Sequence, residues 1–181
     1  MVHIIYILDE SGSMSDLAET VKKTFNGFIS EQKTNPEESV FSLITFNNVV
    51  KVVIDHKPFR EVPELTSYFP NSGTALLDAI GETIVKNINE KRTMLVIMTD
   101  GYENSSYLYT KETVKGLIKN VVENNGWSVI YHGANQDAIT EGCALGISLK
   151  RCLNFEATPT GIKTLSQELS QETSAHRNTP F

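Results

Sequence analysis

Apolar residues fall along this chain in two kinds of run, one short and unbroken, the other spaced by threes and fours. Ile4 to Leu8 reads Ile-Ile-Tyr-Ile-Leu, and Met94 to Met98 reads Met-Leu-Val-Ile-Met. Runs this short, with no polar alternation, predict strands covered on both faces. The first stops at Asp9, and the second passes through Thr99 to Asp100-Gly101. The spaced runs predict amphipathic helices. Leu17, Val21, Phe25, Phe28 and Ile29 mark one from about Ser15 to Lys33, closed by Asn35-Pro36. Leu76, Leu77, Ile80, Ile84 and Ile88 mark a second that opens at Thr74, a residue suited to an N-cap. Val114, Leu117, Ile118, Val121 and Val122 mark a third, from Thr110 to Glu123, ended by Asn124-Asn125-Gly126.

Between these lie weaker signals. Val40 to Phe46 and Val49 to Ile54 are β-rich and are parted by Asn47-Asn48, which predicts a tight hairpin and hence one antiparallel strand. Residues 57–72 hold three of the six prolines and read as loop, with a helical turn at Val62 to Tyr68. Trp127 to His132 and Cys152 to Glu156 read as further strands, with a short helix toward Ala144 between them. Thr158-Pro159 starts a last helix through Leu165 and Leu169, with the cap first and proline next. Ser174 to Phe181 offers little to pack and is expected to fray. Strands alternating with helices predict an α/β fold: a Rossmann-like three-layer sandwich, its central sheet mostly parallel with one antiparallel strand, and helices on both faces. One domain over residues 1–173 accounts for the whole pattern.

Composition narrows the classes. The chain has 181 residues, 40% apolar and 21% charged, as an ordinary globular domain does. A formal net charge of -6 with no basic cluster argues against a nucleic-acid surface, which needs grouped Lys and Arg. The opening apolar run lacks a basic flank and ends in Asp-Glu, so neither a signal peptide nor a membrane span is expected, and no membrane partner. Cys143 and Cys152 are too few for a zinc site or a disulfide frame and read as reduced packing residues in a cytoplasmic protein. The four histidines show no zinc spacing.

The chemistry gathers at strand ends. Asp9, Ser11 and Ser13 form Asp-x-Ser-x-Ser, with Gly12 between the two hydroxyls. Parallel strands that end in Asp9 and Asp100 share one edge of a sheet, where α/β proteins bind ligands. Oxygen donors alone select a hard cation, magnesium ahead of zinc or copper. Taken singly, each feature also has a plain structural reading: a Ser-rich loop that caps a helix, Thr74 as an N-cap, Asp78 serving the helix dipole, Asp100 in a turn.

Taken together, Asp9-x-Ser11-x-Ser13, Gly73-Thr74 and Asp100-Gly101 resemble the complete metal-ion-dependent adhesion site of von Willebrand factor type A domains, and the predicted element order is similar over nearly the whole chain. The resemblance implies metal ligands Asp9, Ser11, Ser13, Thr74 and Asp100. Ser11 and Ser13 would bind directly, Thr74 directly when a partner is present, and Asp9 and Asp100 largely through water. It implies Mg2+, with Mn2+ or Ca2+ as substitutes, and a protein partner that offers an Asp or Glu to the metal. With neither membrane span nor disulfide frame, the chain is most similar to compact stand-alone versions from bacteria and their phages. Glu10, Met14, Asn47, Tyr102, Glu103 and Tyr107 are the rim candidates, the tyrosines foremost because aromatic anchors carry interface energy. His132 and Asn135 follow a strand on the same edge.

Two other readings remain open. The Asp9 strand is also similar to that of haloacid-dehalogenase phosphotransferases, which use magnesium. In those enzymes a second Asp two residues on protonates the leaving group, and here that position is Ser11. The same fold with a vestigial site, serving as a scaffold, is the other. Serine hydrolysis lacks the Gly-x-Ser-x-Gly elbow.

Overall fold

The computed structural model describes residues 1–134, 138–156 and 158–178. Six strands form one sheet in the order β3-β2-β1-β4-β5-β6. They are β1 (Val2–Asp9), β2 (Ser39–Phe46), β3 (Val50–Pro58), β4 (Thr93–Thr99), β5 (Ser128–Gly133) and β6 (Cys152–Asn154). All neighbours pair in parallel except β2 with β3, the expected hairpin. The helices are α1 (Ala18–Gln32), α2 (Leu76–Lys86), α3 (Lys111–Asn125), α4 (Ala138–Ala144) and α5 (Pro159–Asn178). A 3-10 turn over Gly12–Leu17 leads into α1.

The unbroken apolar runs are explained by two cores. Val2, Ile4, Tyr6 and Leu8 of β1 face one way, toward Phe25, Phe28 and Ile29 of α1 and Leu165 and Leu169 of α5. Ile5 and Ile7 face the other way, toward Ile80 and Ile84 of α2 and Ile118 and Val121 of α3. Successive side chains on a strand point to opposite faces, so a strand between two helical layers must be apolar at every position.

Strand order fixes the functional edge. From β1 the chain steps one way to β2 and β3, then returns to build β4, β5 and β6 on the other side. The order therefore reverses between β1 and β4, and the loops leaving those two strands diverge around a crevice. Asp9 ends one strand, and Asp100 follows the other.

Three expectations change. Val62 to Tyr68 forms no helical turn; the only helical residues nearby are Phe59–Glu61. Val62, Leu65 and Tyr68 are buried at a spacing of three, which an extended threefold backbone gives as readily as a helix. Asn26 of α1 holds this strap by donating to the Leu65 carbonyl (3.2 Å) and accepting its N–H (2.7 Å). Cys143 is exposed, and only Cys152 packs in the core.

The expected fraying past Ser174 is also corrected, because α5 continues to Asn178. Arg177 is buried and donates to the carbonyls of Gln32 (2.7 Å) and Glu37, with its guanidinium 5.1 Å from the Phe59 ring centre. Those carbonyls lie at the last residue of α1 and five residues past it, where no sequence pattern near residue 177 announces them. An Arg177→Met variant is expected to lose about 2 kcal/mol from the orphaned carbonyls, lowering Tm by roughly 4–8 °C in thermal denaturation.

Candidate metal centre

Asp9 is fully buried at the end of β1, a costly place for a carboxylate. Its Oδ1 accepts the Ser11 N–H (2.7 Å), and its Oδ2 accepts the Thr99 hydroxyl (2.5 Å). Thr99 also accepts the Gly101 N–H (3.1 Å), so one hydroxyl at the end of β4 sets both the Asp9 carboxylate and the Asp100-Gly101 turn. Tyr68 donates its hydroxyl to the Asp9 carbonyl. Burial raises the Asp9 pKa, the bonds from Ser11 and Thr99 oppose that, and Asp100 raises it further by repulsion. Asp100 is raised as well, chiefly by burial, with the Ser13 bond opposing. Among the described residues no lysine, arginine or histidine forms an ion pair with Asp9.

The hydroxyls stand in front of this carboxylate. Ser13 donates to Asp100 Oδ1 (2.5 Å), and Ser11 Oγ lies 3.1 Å from Ser13 Oγ. Because the Ser13 proton goes to Asp100, Ser11 is the donor of that second bond. Ser11 is buried and Ser13 exposed, so the cluster opens to solvent through Ser13 and the half-buried Asp100. Thr74 arrives from the third direction. A Cβ placed on Gly101 would lie only 2.8 Å from Thr74 Oγ1 and 3.4 Å from Ser13 Oγ, so the missing side chain of Gly101 is what leaves room for these oxygens to converge.

Thr74 does not cap α2, whose N-cap is Ala75. The first N–H groups of α2 are satisfied across the loop after β4: Leu77 N–H by Glu103 Oε2 (2.9 Å) and Asp78 N–H by Ser106 Oγ (3.0 Å). In return Asp78 accepts the N–H groups of Tyr107, Leu108 and Tyr109, each at 3.0 Å. Thr74 itself is tied down by its backbone, whose N–H donates to Asn104 Oδ1 (2.9 Å) and whose carbonyl accepts the Asn104 N–H (3.0 Å). Its hydroxyl is thereby left to the crevice.

The structure thus brings Asp9, Ser11, Ser13, Thr74 and Asp100 into one cluster of carboxylates and hydroxyls. The rim divides otherwise. Tyr102 and Tyr107 are exposed, at 55% and 80%, and Phe69, absent from the sequence reading, joins them at 72%. Met14 is a core residue instead, fully buried beneath the 3-10 turn. Glu10, Asn47 and Glu103 are braces. Glu10 accepts the Phe69 N–H (3.2 Å), Asn47 donates to Asn71 Oδ1 (3.1 Å) and accepts the Ala75 N–H through its carbonyl (2.7 Å), and Glu103 accepts the N–H groups of Leu77, Ser105 and Ser106. His132 lies inside β5, fully buried and pushed down to a pKa of about 4 by burial. Asn135 lies outside the described residues. Thr99, Tyr68 and Asp78, which hold the site in place, carry no signal in the sequence because their partners sit 29 to 90 positions away.

An all-oxygen cluster with a dehydrated carboxylate behind hydroxyls, of which Ser13 is exposed, suits a small hard cation and offers nothing to a soft one. It stands at the switch point of an open α/β sheet, where such folds bind ligands. The sequence matches the von Willebrand factor type A domain over residues 3–143, and the chain belongs to that family, whose members are protein-interaction and adhesion modules that often depend on a metal. Among solved structures, a von Willebrand factor type A protein from Catenulispora acidiphila is similar at 16% identity with a TM-score of 0.65, over 96% of this chain and 42% of that one. Proximal thread matrix protein 1 of the mussel byssus is similar at 15% identity and a TM-score of 0.70, over 96% and 48%. The manganese-loaded TRAP protein of Plasmodium vivax is similar at 16% identity and 0.57, over 82% and 63%. The chain spans less than two thirds of each of these relatives, and at such identities they share the fold. No curated protein sequence matches it. Among the described residues no helix is long and apolar enough to cross a membrane.

The raised acids give a pH prediction for the metal-free protein. An acid whose folded pKa lies above its unfolded value favours the fold while protonated, and that contribution is lost as pH rises through the folded pKa. Asp9→Asn is therefore expected to raise Tm at neutral pH in the presence of chelator. The gain should shrink to nothing as the pH falls below the ordinary carboxylate range of about 4. A Tm difference that stays constant with pH would place the effect in packing instead.

Proposed function

We propose that this chain is a protein-interaction module that captures an Asp or Glu side chain of a partner protein through a hard divalent cation, Mg2+ or Mn2+. Ser11, Ser13 and Thr74 would hold the cation directly, with Asp9 and Asp100 behind them. The observation that carries this reading is the convergence of Ser11, Ser13, Thr74 and Asp100 on the buried Asp9 carboxylate, which has no basic partner of its own among the described residues.

When bound, the cation supplies positive charge and a coordination position for a carboxylate oxygen. The protein's own groups do the rest. Ser11 N–H and Thr99 hold both Asp9 oxygens in place, so the carboxylate stands one shell back and contributes charge with little direct ligation. Neutral hydroxyls nearest the ion leave most of its charge for the visitor. Without a cation the edge carries the Asp9 and Asp100 carboxylates, while Glu10 is paired with Lys51 (3.5 Å), and it repels an acidic partner; this makes recognition metal-dependent. Phe69, Tyr102 and Tyr107 offer the aromatic anchors around it. The free thiols Cys143 and Cys152 favour a reducing, cytoplasmic setting.

Two measurements test this. Mg2+ or Mn2+ is expected to raise Tm, by an amount equivalent to roughly 2.7 kcal/mol at a hundredfold over Kd. Ser13→Ala and Thr74→Ala should lose that response while keeping their metal-free Tm within a few degrees. Second, magnesium-dependent capture of a partner from the source cell should vanish with Ser11→Ala, and capture that survives chelator would refute the mechanism. Magnesium-dependent hydrolysis of a generic phosphate ester, abolished by Asp9→Asn, would assign phosphoryl chemistry in its place.

A further inference from the structure

At the opposite end of β1, about 20 Å from Asp9 at some 3.3 Å per residue, His3, His56 and Glu90 meet, with one potential ligand atom from each lying within 4.8 Å of the others. We propose that these three residues form a second metal site, for a borderline divalent ion of the zinc class.

The hydrogen bonds around the two imidazoles fix which nitrogen faces the cluster. Asp55 accepts from Lys86 Nζ (2.8 Å), and its Oδ1 lies 2.9 Å from His56 Nδ1, the nitrogen placed to donate to it. His56 Nε2 is left to face Glu90 Oε1 at 3.4 Å. On His3, Nε2 lies 2.9 Å from Ser42 Oγ, while Nδ1 is buried with no hydrogen-bond partner. Nδ1 is thus the nitrogen of His3 open to a ligand. Each imidazole has one nitrogen on an oxygen and the other kept for a ligand, the arrangement that orients metal-binding histidines.

Spacing agrees with zinc. Tetrahedral coordination with bonds of about 2.0–2.1 Å sets ligand atoms about 3.3–3.4 Å apart, and His56 Nε2 and Glu90 Oε1 already stand at 3.4 Å. His3 is the buried, fixed member; His56 and Glu90 are partly exposed, able to close on an ion and to leave a fourth position to water. The Glu90 backbone is anchored, since its carbonyl accepts the Trp127 indole N–H (2.9 Å). Nitrogen ligands separate this site chemically from the oxygen cluster at the other end of the sheet. The competing occupant is a proton: His56 as a cation between Asp55 and Glu90.

The test titrates Zn2+ into the full chain, stripped with chelator and dialysed, in millimolar Mg2+, with calorimetry and the side-chain NMR signals of His3 as readouts. One equivalent of Zn2+ is expected, together with a shift of the His3 ring signals. His56→Asn, chosen because asparagine tolerates the positive φ of 46° at this position, and Glu90→Gln should each weaken binding at least about tenfold, while Ser13→Ala and Cys143→Ser leave it unchanged. Circular dichroism checks that each variant is folded. Absence of a zinc equivalent at micromolar concentration, uptake unaffected by both His56→Asn and Glu90→Gln, or loss of uptake in Cys143→Ser would overturn the site.

Discussion

A carboxylate at the dehydrated end of a central strand is the constraint around which this fold is arranged. Asp9 has no exposed surface, and its environment disfavours its charge. What makes it tolerable is a set of donors drawn from two strands: the Ser11 N–H just after β1 and the Thr99 hydroxyl at the end of β4. These bonds pin together the two strands that flank the switch point, and so fix the width of the crevice between their loops. The hydrogen bond from Tyr68 to the Asp9 carbonyl then draws the proline-rich strap over the same edge.

The loops around the crevice are held by acids and amides used as braces. Glu103 and Asp78 exchange backbone bonds across the gap between the loop after β4 and the start of α2. Asn47 and Glu10 do the same for the 69–75 segment. A charged rim residue that satisfies several buried N–H groups is committed to the fold, because freeing it would orphan each of them. Phe69, Tyr102 and Tyr107 are exposed at the same edge. The edge therefore combines polar groups that set loop geometry with aromatic side chains turned to solvent. At the far end of the sheet, the His3, His56 and Glu90 cluster uses a different donor set, and β1 runs from one end to the other.

Much of this was legible in the chain itself. Unbroken apolar runs announced strands between two helical layers, and helical spacing announced α1, α2, α3 and α5, because both patterns are local consequences of which face must leave water. Thr158 and Pro159 marked the start of α5 correctly, and Thr158 Oγ1 accepts the Gly161 N–H at 3.1 Å. Asp9 and Asp100 were legible as neighbours too, since parallel strands end at a shared edge, whereas Thr74 was drawn in only by the family resemblance. Where pattern misled, the periodicity was ambiguous or the partner remote. Val62, Leu65 and Tyr68 repeat every third residue in an extended strap, and Arg177 finds its acceptors at the end of α1 and on the segment after it.

Sequence alone determined the alternation of elements and the two-sided burial of the sheet, for both depend on composition and spacing within short windows. Tertiary structure alone decided which donors do structural service and which face solvent: Met14 turned inward, Thr74 turned away from the helix it precedes, and Glu103 became a brace. It also decided that His3, His56 and Glu90 meet, since no spacing in the chain relates them. The physical reason is the same in each case. A side chain's role is set by the unsatisfied groups nearest it in space, and chain folding, not chain order, supplies those neighbours.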